Sequence, residues 1–227
     1  MRWLLLHGTP LSPEVWDDVR PRLTGDAAVP DLDSLIPAAG PVQEQVAAAV
    51  LAGLPDGGLV VVGHSFGGQV AIELALHAPH RLTRLIIVCS RHTPFPAFAL
   101  GARSVRNGEP VDIDAGLKRW FTPHELAADP PVISYLRQRL ATAPRGPWAA
   151  ELDAVAHYDR SAEVRRIATP TRLFAAGHDD VAPPQVMAQL AETLPDARLE
   201  VVTAWAHMSP FADPAAFAAL LRDAAEC

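Results

Sequence analysis

Cysteine is scarce in this chain: there are two among 227 residues, Cys89 and Cys227. So few exclude a disulfide framework or a cysteine-based zinc cluster. Cys89 closes the apolar run LIIVCS and reads as a small buried side chain, Cys227 as a loose terminal thiol. Long hydrophobic runs are missing as well, and no stretch approaches the roughly 20 apolar residues of a membrane span. The opening MRWLLLHGTP has one positive charge and an apolar core too short for a secretory signal, so the expected location is the cytoplasm. Positive charge is in deficit, with a formal net charge of −7, which argues against a nucleic-acid partner. There is no glycine-rich phosphate loop and no H-E-x-x-H. The histidines at 7, 77, 80, 92, 124 and 157 are scattered without ligand spacing, so neither cofactor nor metal is expected. Repeats and low-complexity segments are absent. The oligomeric state leaves no mark on the sequence.

What is present is a normal globular balance, 49% apolar and 20% charged, in a chain long enough to bury its own core. Short apolar runs alternate with helical stretches, the rhythm of a mostly parallel sheet. The strand candidates are residues 3–6, 27–32, 59–63, 85–89, 171–176 and 199–203, each nearly uniformly apolar or β-branched at its centre. Helices are expected at 42–54, 66–77, 184–193 and 214–225, bounded by prolines and glycines. Residues 91–168 break this rhythm, with prolines, two of the five tryptophans, and helical patterns at 114–120, 131–141 and 148–158. The chain therefore divides into a core, residues 1–90 and 169–227, and a helical cap insertion, residues 91–168, that would cover a site at the sheet's carboxyl edge.

Gly63-His64-Ser65-Phe66-Gly67 matches G-x-S-x-G and lies between the strand LVVVG and the helix FGGQVAIELALH. A serine on so sharp a strand-to-helix turn holds its hydroxyl above the sheet edge, which marks Ser65 as a nucleophile. The amide of Phe66, at the helix start, can stabilise a developing oxyanion. His64 points elsewhere on such a turn and is expected to pack or support. A general base must come from farther along. His207, in WAHMSPF after the last strand, would meet the serine hydroxyl at the same edge. The acid belongs in RLFAAGHDDVAPP, where Asp179 and Asp180 compete. Hydrolases of this kind often read G-x-x-D-x-x-x-P at this turn; Gly177, Asp180 and Pro184 meet both spacings while Asp179 misses the glycine spacing by one, which favours Asp180 over Asp179 as the carboxylate that would orient the imidazole. A second oxyanion donor is expected from the His7-Gly8-Thr9-Pro10 loop, where Thr9 has an amide to give and Pro10 has none.

The ordered set HGTP, GHSFGG, AGHDDVAPP and AWAHMSPF resembles the α/β-hydrolase superfamily over almost the whole chain. The segment RWFTPHELAADPPVISYLRQRLATAP is similar to the cap of 3-oxoadipate enol-lactonases, which open a small enol-lactone with water. The resemblance implies a doubly covered, mostly parallel sheet, a Ser65–Asp180–His207 triad and an oxyanion hole of the Thr9 and Phe66 amides. The N-terminal hairpin usual in such proteins is missing, and DLDSLIPAAG stands where many relatives carry an Asp-x-x-G-x-G-x-S turn. Phe95, Trp120, Phe121, Trp148 and Met208 are candidates to line an apolar substrate pocket, with Phe66 beside them. Arg91 and His92 would either meet a substrate carboxylate or form a solvated loop pair. The expected activity is hydrolysis of a small carboxylic ester or lactone through an acyl-enzyme. The same triad could serve lyase, C–C hydrolase or perhydrolase chemistry, or survive in a ligand-binding receptor.

Overall fold

The computed structural model describes residues 1–226, so Cys227 lies outside the described residues. Six strands, β1 (Arg2–Leu6), β2 (Asp26–Ala28), β3 (Leu59–His64), β4 (Leu82–Val88), β5 (Thr171–Ala176) and β6 (Ala197–Val202), form one sheet in the order β2-β1-β3-β4-β5-β6. Every pairing is parallel, and β2 is an edge strand, with no hairpin outside it among the described residues. Strand β2 is shorter than the expected 27–32 because Pro30 has no N–H for the ladder. Strand β4 starts earlier than expected, at Leu82, where the Thr83 hydroxyl donates to the Leu59 carbonyl across the sheet (3.0 Å).

All six residues of β3, LVVVGH, are buried, as a central strand covered on both faces requires. Alternate side chains go to opposite faces. Leu4, Leu6, Val61, Leu85, Ile87 and Leu173 pack under helices α1 (Val42–Ala52), α2 (Phe66–His77) and, further along the chain, α8 (Pro184–Thr193). Trp3, Leu5, Val60, Val62, Ile86 and Phe174 pack on the other face with Trp16 and the closing helix.

Five helices are inserted between β4 and β5: α3 (Phe98–Arg106), α4 (Ile113–Trp120), α5 (Pro123–Ala128), α6 (Pro131–Thr142) and α7 (Arg145–His157). Three of them match the helical patterns of the sequence, and α3 and α5 are additional. Helix α5 begins at a capping box, with the Thr122 hydroxyl accepting from the Glu125 amide and the Glu125 carboxylate from the Thr122 amide. Ala102 and Val105 of α3 pack against Trp148, Ala149 and Leu152 of α7, a small core of their own. The chain closes with α9 (Ser209–Ala212) and α10 (Pro214–Glu226). No helix among the described residues is long and apolar enough to cross a membrane.

Candidate active site

The loops that leave the carboxyl ends of β1, β3, β5 and β6 converge on one point. Ser65 caps α2 with φ 53° and ψ −119°, a left-handed-side conformation unfavourable for a residue with a Cβ. Its neighbours hold it there: the Ser65 amide donates to the Val88 carbonyl (3.0 Å), while the Ser65 carbonyl accepts from the Gly68 amide (2.9 Å) and the Ser90 hydroxyl (2.6 Å). The turn is sharp enough that a Cβ on Gly63 would strike the Gly67 carbonyl, and one on Gly67 the Leu6 carbonyl. The result is a half-buried hydroxyl raised above the sheet edge.

His207 Nε2 lies 3.1 Å from Ser65 Oγ, and His207 Nδ1 lies 2.8 Å from Asp179 Oδ2. An ionised carboxylate only accepts, so Nδ1 carries the hydrogen and Nε2 turns its lone pair to the serine. The acid facing the ring is therefore Asp179, and the Asp180 expected from the spacing is corrected. Asp179 Oδ1 accepts the amides of Val181 (2.7 Å) and Ala182 (3.1 Å), folding the turn around its own carboxylate. Its neighbour then points the other way, and Asp180 is exposed at the cavity mouth with no bond to His207. Burial alone would raise the Asp179 carboxyl, but the His207 charge and the hydrogen bonds from His207, Ala182 and Val181 outweigh it and hold the group below the usual carboxylate range.

Other side chains brace this arrangement. His64 is buried beside His207, its Nε2–H donating to the His207 backbone carbonyl (3.0 Å) and its ring meeting Phe211 edge-on at 5.1 Å. Burial, reinforced by His207, depresses its pKa to about 3, so it is neutral. His7 is buried too; its Nε2 accepts from the Leu32 amide (3.0 Å) and its Nδ1–H donates to the Gly8 carbonyl (3.0 Å). The Cys89 thiol is pushed well up by burial and then by Asp179, and stays protonated. His64, Cys89 and His207 lie close together, as do His7, Asp31 and Asp33; both ring nitrogens of His7 and of His207 are engaged in the hydrogen bonds just described, and His64 Nδ1 is buried without a hydrogen-bond partner.

Thr9 and Phe66, the two expected oxyanion donors, have backbone N–H groups with no backbone acceptor among the described residues. Thr9, Ser65 and His207 open onto a cavity of about 730 Å³ between the sheet edge and the inserted helices. Its wall is predominantly apolar, with Phe95, Phe98, Val105, Trp120, Leu140 and Trp148 among the lining, and Arg119, Glu109 and Asp112 among its polar positions. Three of the expected pocket residues, Phe95, Trp120 and Trp148, are there. Phe121 and Met208 are not: both are buried in the core on the α10 face, and Phe66 is buried in the core on the α2 face. Nor is Arg91 a solvated residue or a cavity residue. It donates to the carbonyls of Thr93 (2.8 Å) and Val181 (2.9 Å) and lies over the Phe95 ring at 4.8 Å, pinning the turn that holds Asp179. His92 is buried beside it.

Residues 3–220 match the model of the alpha/beta hydrolase family. The chain belongs to that family. It is 31% identical over 242 residues to a pimeloyl-[acyl-carrier protein] methyl ester esterase from Aromatoleum aromaticum, covering 97% of this chain and 96% of that protein. It is 30% identical to a 3-oxoadipate enol-lactonase from Acinetobacter baylyi over 68% of this chain and 59% of that one. Among solved structures, a hydrolase from Pseudomonas aeruginosa superposes with a TM-score of 0.88 at 25% identity, over 98% of this chain and 89% of that one. The family resemblance read from the four motifs stands, and relatives named as an esterase and an enol-lactonase flank it.

Proposed function

We propose that this alpha/beta hydrolase cleaves a small carboxylic ester or lactone through an acyl-enzyme formed on Ser65. The observation that carries this reading is the unbroken chain of hydrogen-bond contacts Ser65 Oγ–His207 Nε2 (3.1 Å) and His207 Nδ1–Asp179 Oδ2 (2.8 Å) beside an apolar cavity. His207 takes the serine proton as Oγ attacks the carbonyl carbon, and Asp179 stabilises the imidazolium without accepting the proton. The Thr9 and Phe66 amides donate to the oxyanion. His207 returns the proton to the leaving oxygen, and water then repeats the sequence in reverse to release the acid. The inserted helices, within residues 91–168, act as a cap that supplies the apolar wall and favours a substrate with a hydrocarbon portion over a strongly charged one.

The test is pre-steady-state hydrolysis of p-nitrophenyl acetate and butyrate. A burst of nitrophenol matching the enzyme concentration, abolished in Ser65→Ala, is expected. Turnover unchanged in Ser65→Ala would overturn the reading. Failure of all activated esters and lactones, with Ser65 still labelled by a fluorophosphonate, would shift the same residues to another chemistry.

A further inference from the structure

Glu151, on α7, is completely buried, and neither of its carboxylate oxygens has a hydrogen-bond partner. Two other buried oxygens lack partners as well, Thr9 Oγ1 and Asp33 Oδ1. They belong to one neighbourhood: α7 packs on the segment that carries Asp33, and Arg139 ties Asp33 to the carbonyl of Pro10, directly after Thr9. The other oxygen of Asp33 is already answered by Arg139 Nη2 at 2.8 Å. The same guanidinium donates to the carbonyls of Pro10 (2.9 Å) and Leu11 (3.0 Å), directly after Thr9.

Four buried, unpartnered oxygens do not stand as two bare carboxylates, because like charges near each other disfavour double ionisation and burial adds to the cost. One proton resolves all four. With it on Glu151, the acid O–H donates to Asp33 Oδ1 and the Thr9 hydroxyl donates to the remaining Glu151 oxygen. The charges then close as well: neutral Glu151, anionic Asp33 and cationic Arg139. We propose that Glu151 is a neutral carboxylic acid sharing its proton with Asp33, and that it is a positioning residue fastening the Thr9 loop to the inserted helix α7.

Burial, followed by the charge of Asp33, pushes the Glu151 carboxyl well above the usual range, with Thr9 and Arg139 pulling only partly back. The groups facing it come from each neighbouring element: Thr9 from the loop after β1, Asp33 from the segment after β2, and Arg139 from α6. Its consequence for catalysis rests on the proposed oxyanion role of the Thr9 amide. Helix α6 holds the same loop by a second route, since Tyr135 Oη accepts the Ser12 amide at 2.9 Å.

Infrared difference spectra of the whole protein and p-nitrophenyl acetate kinetics test the two halves separately. At neutral pH the wild type should show the carbonyl band of a protonated carboxylic acid, shifted in D₂O and absent from Glu151→Gln. Glu151→Gln, whose amide can donate to Asp33 and accept from Thr9, should keep kcat within about threefold. Glu151→Leu should lower kcat by about tenfold or more with KM little changed, as a misplaced oxyanion donor would. No acid band at neutral pH, or Glu151→Gln as impaired as Glu151→Leu, would overturn the shared proton. A wild-type kcat in Glu151→Leu would overturn the positioning role. The infrared band needs no activity, so it stands or falls independently of the Ser65 reading. If Glu151→Leu does not fold, the band and Glu151→Gln still decide.

Discussion

Asp179 and Asp180 are neighbours with opposite surroundings, and exchanging each for asparagine separates their roles. In Asp179→Asn the amide oxygen can keep the two bonds that Oδ1 accepts from Val181 and Ala182, so the turn survives. The amide NH₂ then stands where Oδ2 faced His207 Nδ1 at 2.8 Å. An NH₂ group only donates, so Nδ1 must give up its hydrogen and Nε2 must carry it, pointing a hydrogen at Ser65 Oγ in place of a lone pair. A ring in the wrong tautomer cannot take the serine proton, and kcat should fall by about 10⁴, or roughly 5.5 kcal/mol of transition-state stabilisation. Asp180→Asn touches an exposed side chain and should stay within about twofold.

The assay is kcat for p-nitrophenyl acetate in both variants, with circular dichroism to confirm folding. Loss of activity in Asp180→Asn with Asp179→Asn near wild type would refute the reasoning. Stability offers a second reading of the same residue. The folded Asp179 carboxyl titrates below its unfolded value, so on acidification the unfolded chain binds the proton first. The stabilisation is complete above the ordinary carboxylate pKa of about 4 and is lost as pH falls through the depressed folded value. The stability gap between wild type and Asp179→Asn should therefore narrow in acid; a gap that widens would show the carboxyl titrating in the opposite sense.

Three further substitutions probe the surroundings. A Cβ on Gly8 would sit 2.8 Å from Ser65 Cβ and 3.0 Å from His64 Nδ1; Gly8→Ala should displace the serine and cost about 100-fold in kcat, and unchanged kinetics would show the serine turn to be softer than its bonds imply. Gly101 lines the cavity, and a Cβ there first meets Leu152 Cδ1 at 3.6 Å, an ordinary contact. Gly101→Leu should thus lower kcat/KM for p-nitrophenyl octanoate about tenfold while sparing the acetate; equal losses on both esters would place the acyl chain elsewhere. Glu73 is fully buried and held by Arg160 (2.7 and 3.3 Å) and Tyr158 (2.9 Å). Arg160→Met should cost about 3 kcal/mol, measured by urea unfolding, because it takes the guanidinium away from a buried carboxylate; a shift within error would show that the ion pair adds nothing to stability.

Much of this molecule was legible because its physics is local. The runs WLLL, LVVVG and, within TRLFAA, LFAA carry no charged side chain because helices cover both faces, so strand and layering are read together. The helices at Phe66–His77 and Pro184–Thr193 end where proline and turn residues say they should. Helix α5 was legible in principle, since Thr122 and Glu125 spell a capping box, whereas α3 is masked by the prolines at 94 and 96 that precede it. The choice of acid was not legible, because it depends on which way a carboxylate turns. A motif spacing counts residues, while two backbone amides, from Val181 and Ala182, decide the direction. Glu151 was invisible for a related reason: an acid on a helix reads as a solvated residue until the loops that bury it are in place.

The bracing pattern explains why so few residues announce themselves. Each loop of the site is held by a side chain from a neighbouring loop or helix. Ser90, after β4, holds the Ser65 carbonyl, and His64, at the end of β3, holds the His207 carbonyl. Arg91, after β4, holds Val181 in the turn of Asp179, and Arg139, from α6, holds the loop that carries Thr9. These bonds end on backbone carbonyls, which every residue possesses, so the partner position carries no sequence signature. They also require the bracing histidine to be uncharged: a protonated His64 would bury a charge beside the imidazolium that His207 becomes when it takes the serine proton. Burial, which lowers the His64 pKa to about 3 and so keeps the ring neutral, lets it donate to the His207 carbonyl without competing with Asp179 for the developing charge. A support of this kind is felt in geometry and not in charge, so its loss should lower kcat without changing the sign of the pH dependence that Asp179 imposes.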